Sequence, residues 1–304
     1  MTTPTKPVQW ILDTRSWFPQ ATQTHHLETQ ASKPLSLLTP TERTQILKYY
    51  HLRDAKLSLA SHLLKRFCIA KLAPSSPSWP LTLPTRDPVT TKPIWIDPQT
   101  QTSPVSFNVS HQAGLVSLIA FPSTTAQLGV DIVCTSERRE RDLEQIDRSG
   151  WSSFVNTHED VFSPNEVKYL KYHLPRSYRI DGKLREFYAL WALREAYIKL
   201  TGEALLASWL RELEFREFRA PKPTESFDVP ADDESDQVVR EFDIRFKGEK
   251  VENVNVCLRS LGPDYMIATA VKTPENEAEA LGWKLGPYEF LTLEEIIEFA
   301  ESRS

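Results

Sequence analysis

Glycine is scarce in this chain, with 9 in 304 residues at positions that never cluster. A Walker loop or a dinucleotide fingerprint needs closely spaced glycines so that backbone amides can approach phosphate, and both readings therefore fall away. If phosphate is bound, side chains must hold it. Cysteine is rarer still: Cys68, Cys134 and Cys257 are odd in number, far apart and without a CxxC spacing. That pattern suggests neither a disulfide framework nor a zinc site, and it fits a reducing compartment. No run of about 18 apolar residues occurs, and the opening MTTPTKPVQW has no apolar signal core. No membrane span or secretion is expected, and the cytosol is the default location. Positive charge is not in excess either. A net charge of −5 argues against a broad nucleic-acid-binding face and leaves room for a local basic pocket.

What is present is an ordinary globular composition, 40% hydrophobic and 25% charged, with 22 prolines punctuating the chain. The length suggests two lobes. Thr39-Pro40-Thr41-Glu42 has the form of a capped helix entry, and helical spacing of Ile46, Leu47, Tyr50, Asp54, Leu57, Leu64 and Phe67 predicts a helical region reaching about residue 72. Residues 74–93 are dense in proline and read as an irregular connection. Strands are expected at 94–96, 105–109, 115–121 and 128–133, with a turn at Gln112-Ala113-Gly114. A charged helix is expected at 136–147, a second capped entry at Ser163-Pro164-Asn165-Glu166, and the strongest helix at 187–201, stopped by Gly202. Beyond an acidic loop at 220–237, strands are expected at 238–246, 254–261 and 265–271, and a last helix at 293–300. Helices and strands are thus grouped twice, which points to an α+β architecture in two halves, 1–125 and 126–304.

Three segments carry residues suited to chemistry. In Trp191-Ala192-Leu193-Arg194-Glu195-Ala196-Tyr197-Ile198-Lys199, helical spacing puts Trp191, Glu195 and Lys199 on one stripe at i, i+4 and i+8. By itself this could be a solvated ion pair on a surface helix. In Leu128-Gly129-Val130-Asp131-Ile132-Val133 a carboxylate sits inside an apolar strand, which is costly unless a cation or donors meet it. In Phe107-Asn108-Val109-Ser110-His111 the neighbouring Ser110 and His111 point to opposite faces of a strand, so they cannot act as nucleophile and base on each other, and no GxSxG elbow exists.

Together, in this order and spacing, the three segments resemble the signatures of Sfp-type 4′-phosphopantetheinyl transferases, of a eukaryotic, fungal-like, broad-range kind: an FN-SH segment, a GxD segment and a W-x-x-[KR]-E-[AS]-[YF]-x-K helix. The resemblance extends upstream to Arg53-Asp54-Ala55-Lys56 and Lys92-Pro93. It implies two similar α+β lobes related by a pseudo-twofold axis, with the active site in the cleft between them. It also implies transfer of the phosphopantetheine arm of coenzyme A to a serine of an apo carrier, with Asp131 and Glu195 coordinating Mg²⁺. Glu195, Lys199 and His111 are the implied catalytic residues, Glu195 taking the serine proton directly or through a metal-bound water. Arg53, Arg86, Lys92, Ser110, His111, Arg194 and Lys199 are implied to hold coenzyme A, with Lys56 and Arg66 as helpers.

The chain departs from the bacterial pattern at Val133, where an acid would stand; since i and i+2 face alike on a strand, one ligand is missing, and water or Gln112 could replace it. Residues 134–185 and the 220–237 loop lack a counterpart in the short bacterial enzymes and are expected to shape carrier recognition. The implied partners are acyl, peptidyl and aminoadipate-reductase carrier domains of polyketide, nonribosomal peptide and lysine biosynthesis, and the implied state is a monomer without nucleic acid or membrane partners. Two other classes stay open at this point. One is a non-catalytic coenzyme A or nucleotide-binding module; the other is a metal-dependent phosphohydrolase.

Overall fold

The computed structural model describes residues 5–203, 207–227 and 230–304. Part of the acidic loop expected at 220–237, positions 228 and 229, lies outside the described residues. Two compact units emerge: Met1–Leu128 with Lys284–Ser304, and Gly129–Trp283. The sequence placed everything from 126 onward in one second lobe. Instead, residues 284–304 belong to the first unit, because Glu289–Leu291 pairs in parallel with Val8–Asp13 and the helix Leu293–Ser302 packs on the helix Leu52–Leu72.

The first unit is built on a four-stranded sheet in the order Glu289–Leu291, Val8–Asp13, Leu115–Phe121, Ser106–Gln112. The last two form a hairpin whose two-residue loop, Ala113 and Gly114, has positive φ at both positions (48° and 90°), the turn whose twist matches the strands it joins. Helix Leu52–Leu72 lies against this sheet, and its Phe67 ring meets Trp10 edge-on at 5.3 Å and Phe299 at 4.9 Å. The capping box at Thr39 and Glu42 forms, with Pro40 at the first helical position. The single helical region expected up to residue 72 is two helices, Pro40–Leu47 and Leu52–Leu72, broken where His51 turns extended; Tyr50, counted with the apolar face, is exposed instead.

In the second unit, strands Gln127–Cys134, Tyr265–Lys272, Asn255–Leu261 and Val238–Val239 form one sheet in that order. Helix Ile180–Thr201 packs on Tyr265–Lys272 and ends at Gly202, whose left-handed φ of 82° favours glycine. It starts seven positions before the expected 187. The early turn, which includes the poor helix former Gly182, is supported by Asp181 near the helix N-terminus, held by Arg139 at 2.7 Å. Residues 134–185 carry the expected charged helix and the expected capped helix. They form helices Arg139–Ser149, Trp151–Asn156 and Pro164–Tyr172, and Trp151, Phe154 and Phe162 join the core around Phe187 and Trp191. Both units segregate helices from antiparallel strand pairs, which is the α+β class read from the sequence.

Candidate active site

Asp131, Glu195 and Lys199 come together within the second unit. Asp131 lies in strand Gln127–Cys134, while Glu195 and Lys199 lie one turn apart on helix Ile180–Thr201. Gly129 sets the distance between the two elements. A Cβ there would stand 2.0 Å from the Ala196 carbonyl oxygen and 2.6 Å from the Leu200 amide nitrogen, so only glycine lets strand and helix approach this closely. Asp131, two residues on, faces the same way and reaches the helix: Lys199 Nζ donates to its Oδ1 at 2.5 Å.

Glu195 is the unmet member of the trio. Its Oε1 is buried and has no hydrogen-bond partner. Burial first, and the neighbouring Asp131 carboxylate second, push its carboxyl up to about 7, against the opposing pull of Lys199 and Arg194. A small pocket bounded by Val161, Phe162 and Trp191 adjoins it, so part of the burial comes from the apolar layer that residues 134–185 supply. A buried orphan oxygen beside a second carboxylate is what a divalent cation would satisfy, and magnesium commonly takes only one or two protein carboxylates. Among the described residues no group of three or more potential metal ligands occurs, in keeping with the missing acid at Val133, which is buried in the apolar core. Gln112 closes strand Ser106–Gln112 of the first unit.

Arg194 corrects the sequence reading. Expected on a phosphate, its guanidinium is 2% exposed and donates to Glu166 Oε2 at 2.7 Å, to the Leu213 carbonyl at 2.7 Å and to the Leu210 carbonyl. On the helix Arg194 sits about 100° round from Glu195, and here it ties the helix to the capping glutamate of Pro164–Tyr172. Arg66 is likewise internal, paired with Glu42 at 2.7 Å, and Lys56 donates to the Trp17 carbonyl. Neither is placed as a helper.

The other expected residues lie in the first unit. Ser110 is buried and His111 exposed, as alternation on the strand requires, so Ser110 faces the core. Arg53 is exposed, with Asp54 3.7 Å away. Burial brings Lys92 down to about 8. Arg86 and His111 line a cavity of about 1150 Å³ that also takes in His62 and Lys65. Sequence reasoning passed over those two; the signal was the stripe Ser58, Ser61, His62, Lys65 at helical spacing on Leu52–Leu72.

Comparison with known proteins agrees with this geometry. Residues 16–123 match the family model "4′-phosphopantetheinyl transferase, N-terminal", and residues 127–251 match the "4′-phosphopantetheinyl transferase superfamily". The chain is 43% identical to 4′-phosphopantetheinyl transferase 1 of Fusarium mangiferae over 98% of its length and 96% of that protein's. It is 35% identical to a 4′-phosphopantetheinyl transferase of Aureobasidium melanogenum, covering 86% of the chain and 90% of the relative. A Schizosaccharomyces pombe L-aminoadipate-semialdehyde dehydrogenase-phosphopantetheinyl transferase is 29% identical over 55% of this chain and 60% of its own.

Proposed function

The chain belongs to the 4′-phosphopantetheinyl transferase family, and from that premise we propose how its residues move the phosphopantetheine arm of coenzyme A onto a serine of an apo carrier protein. One observation carries the assignment: Asp131, Glu195 and Lys199 share a single strand and helix contact in which a Glu195 oxygen is buried and unmet.

Asp131 and Glu195 would hold Mg²⁺, which when bound supplies positive charge to the diphosphate oxygens. The serine oxygen attacks the β-phosphorus in line. The bond from that phosphorus to the bridging oxygen breaks, and 3′,5′-adenosine bisphosphate leaves with the electron pair. Such a reaction asks the protein for alignment and charge compensation more than for covalent chemistry. Glu195, directly or through a water, takes the serine proton. Lys199, on a partly exposed stem, orients Asp131 and offsets charge on the transferred phosphoryl group. His111, Arg53, Arg86 and Lys92 bind coenzyme A phosphates by charge-assisted hydrogen bonds. We leave Arg194, Arg66 and Ser110, which are buried, and Lys56, which donates to the Trp17 carbonyl, out of this set.

The proposed carriers are acyl, peptidyl and aminoadipate-reductase carrier domains; the name of the Schizosaccharomyces pombe relative supports the last. We take the enzyme to act as a cytosolic monomer, in line with three buried cysteines that form no disulfide among the described residues and a net charge of −5. Incubation with coenzyme A, Mg²⁺ and an apo carrier, followed by intact-mass measurement, tests the assignment. Gain of one phosphopantetheine arm, abolished by Asp131→Ala, is expected. Coenzyme A bound without transfer, or phosphate released with the carrier unchanged, would refute it.

A further inference from the structure

Among the described residues, three helices open with a capping box, in which a glutamate accepts from the backbone of its own cap: Thr39 with Glu42, Ser163 with Glu166, and Thr292 with Glu295. Glu295 shows what the local motif needs: it is exposed and accepts from Thr292 N at 2.6 Å and from Thr292 Oγ1 at 2.9 Å. Glu166 goes further. Its side chain is 1% accessible; Oε2 accepts from Ser163 N and from Arg194 Nη1, each at 2.7 Å, and Oε1 accepts from Phe215 N at 2.8 Å. Capping uses the first of these bonds. The other two reach residues 28 and 49 positions away in the chain.

Arg194 also donates to the Leu213 carbonyl at 2.7 Å and to the Leu210 carbonyl, where strand Leu213–Arg216 begins. A planar guanidinium that serves three oxygens at once cannot turn freely, and the next residue on its helix is Glu195. Holding Ser163 N also places the preceding Phe162, whose buried ring borders the small pocket beside Glu195 and meets Trp191 at 6.2 Å. The first unit has a similar clasp between Glu42 and Arg66 at 2.7 Å, and Arg66 and Arg194 stand equally far along their helices. There the residue that follows is Phe67, a core side chain; here it is a carboxylate with a buried, unmet oxygen.

We propose that Glu166 is a positioning residue for the transfer: through Arg194 it sets the rotation of helix Ile180–Thr201, and with it where the Glu195 carboxylate stands relative to Asp131. The inference rests on the transferase reading above and adds a residue that lies in none of the three segments that carried the sequence reading. Gly129 fixes the strand side of the helix; the clasp fixes it from helix Pro164–Tyr172 and strand Leu213–Arg216. Desolvation offsets most of the attraction within a buried ion pair, so orientation rather than net stability is what this pair supplies.

The test compares wild type, Glu166→Gln, and Glu166→Gln combined with Arg194→Met. Glu166→Gln keeps the volume but has too few acceptors, so that a donor faces a donor. It should lower the urea midpoint, and the double variant, which removes the stranded guanidinium, should regain most of that loss. Transfer should not follow stability. With coenzyme A and an apo carrier, kcat per folded enzyme should fall about 10- to 100-fold in both variants while KM for coenzyme A stays within about threefold. Mn²⁺ alone, followed by electron paramagnetic resonance, gives a readout without turnover: its dissociation constant should rise about 10-fold in both. Arg194→Lys, which keeps the charge and one donor contact, should fall between wild type and the double variant in both readouts, and with the double variant it carries the test if Glu166→Gln does not fold. If kcat and Mn²⁺ affinity never fall, or return with stability in the double variant, the pair is scaffolding and the inference is overturned, while carrier modification by wild type leaves the transferase reading intact. If wild type modifies no carrier but the Mn²⁺ difference is present, the transferase reading fails and the positioning stands. If wild type neither modifies a carrier nor binds Mn²⁺, both fail.

Discussion

Lys199 Nζ lies 2.5 Å from Asp131 Oδ1, joining residues 68 apart in the chain, and the pair stands directly beside a glutamate whose buried oxygen has no partner. Lys199 retains partial exposure, with 26% of its side chain accessible, so its role is not to fill the core. Lys199→Ala should therefore fold with little change in thermal stability yet lose about 100-fold or more in transfer. Because both residues act on one group, Asp131→Ala and Lys199→Ala should combine less than additively. Single-turnover measurement on an apo carrier decides; activity within twofold of wild type in Lys199→Ala would remove its assigned part.

Gly129 is the hinge of this geometry, although it touches no substrate. Gly129→Ala puts a methyl group 2.0 Å from a helix carbonyl, and the strand must move away from the helix. Overpacking of this kind costs about 1–3 kcal/mol, and the displaced Asp131 should lose transfer activity by a larger factor than the stability loss explains. Urea unfolding and kcat on the same preparation check this; a normal kcat in Gly129→Ala would show that the close approach is not needed.

The raised pKa of Glu195 makes a signed statement about stability. Below 4.5 the carboxyl is protonated whether the chain is folded or not. As pH rises from there to about 7, the unfolded chain gives up its proton first, so stability of the metal-free protein falls across that window and stays lower above it. Glu195→Gln should abolish transfer while making the metal-free protein more stable at pH 8, by on the order of 1 kcal/mol after solvent screening. Denaturation at pH 5 and pH 8 with a chelator present tests it. An identical pH difference in both proteins would place the strain elsewhere.

Val133 stands where the bacterial pattern has an acid, on the same side of the strand as Asp131, and it is 2% exposed. Val133→Glu should lower the melting temperature without metal, because a carboxylate enters the core unpaired. Added Mg²⁺ or Mn²⁺ should restore more of that loss than it gives wild type, with altered preference between the ions. Equal metal-induced shifts in both proteins would show that position 133 does not face the cation.

Much of this site was legible because it depends on local spacing. The stripe of Glu195 and Lys199, the apolar strand around Asp131 and the capping boxes at Thr39 and Ser163 are properties of short segments, and each is found in place. What sequence could not settle is which way a charged side chain turns once long-range packing is complete. Arg194 reads as a phosphate ligand beside Glu195, but Glu166, 28 positions earlier, claims it. Arg66 is claimed by Glu42 in the same way. Lys65 was missed for the converse reason: only the folded hairpin at Thr85–Arg86 and Pro93–Ile94 shows that it faces another cation rather than solvent. The boundary error at 284–304 arises because Glu289–Leu291, three residues long, carries almost no strand signal without its distant partner.

That distant partner has a bearing on biosynthesis. Until Glu289–Leu291 emerges from the ribosome, Val8–Asp13 sits as the outermost, unprotected ribbon of its sheet, while everything required for Gly129–Trp283 has already been made. The Asp131, Glu195 and Lys199 cluster can thus be assembled before the sheet of the first unit is complete, and chains released short of residue 289 would present a bare template for joining to one another.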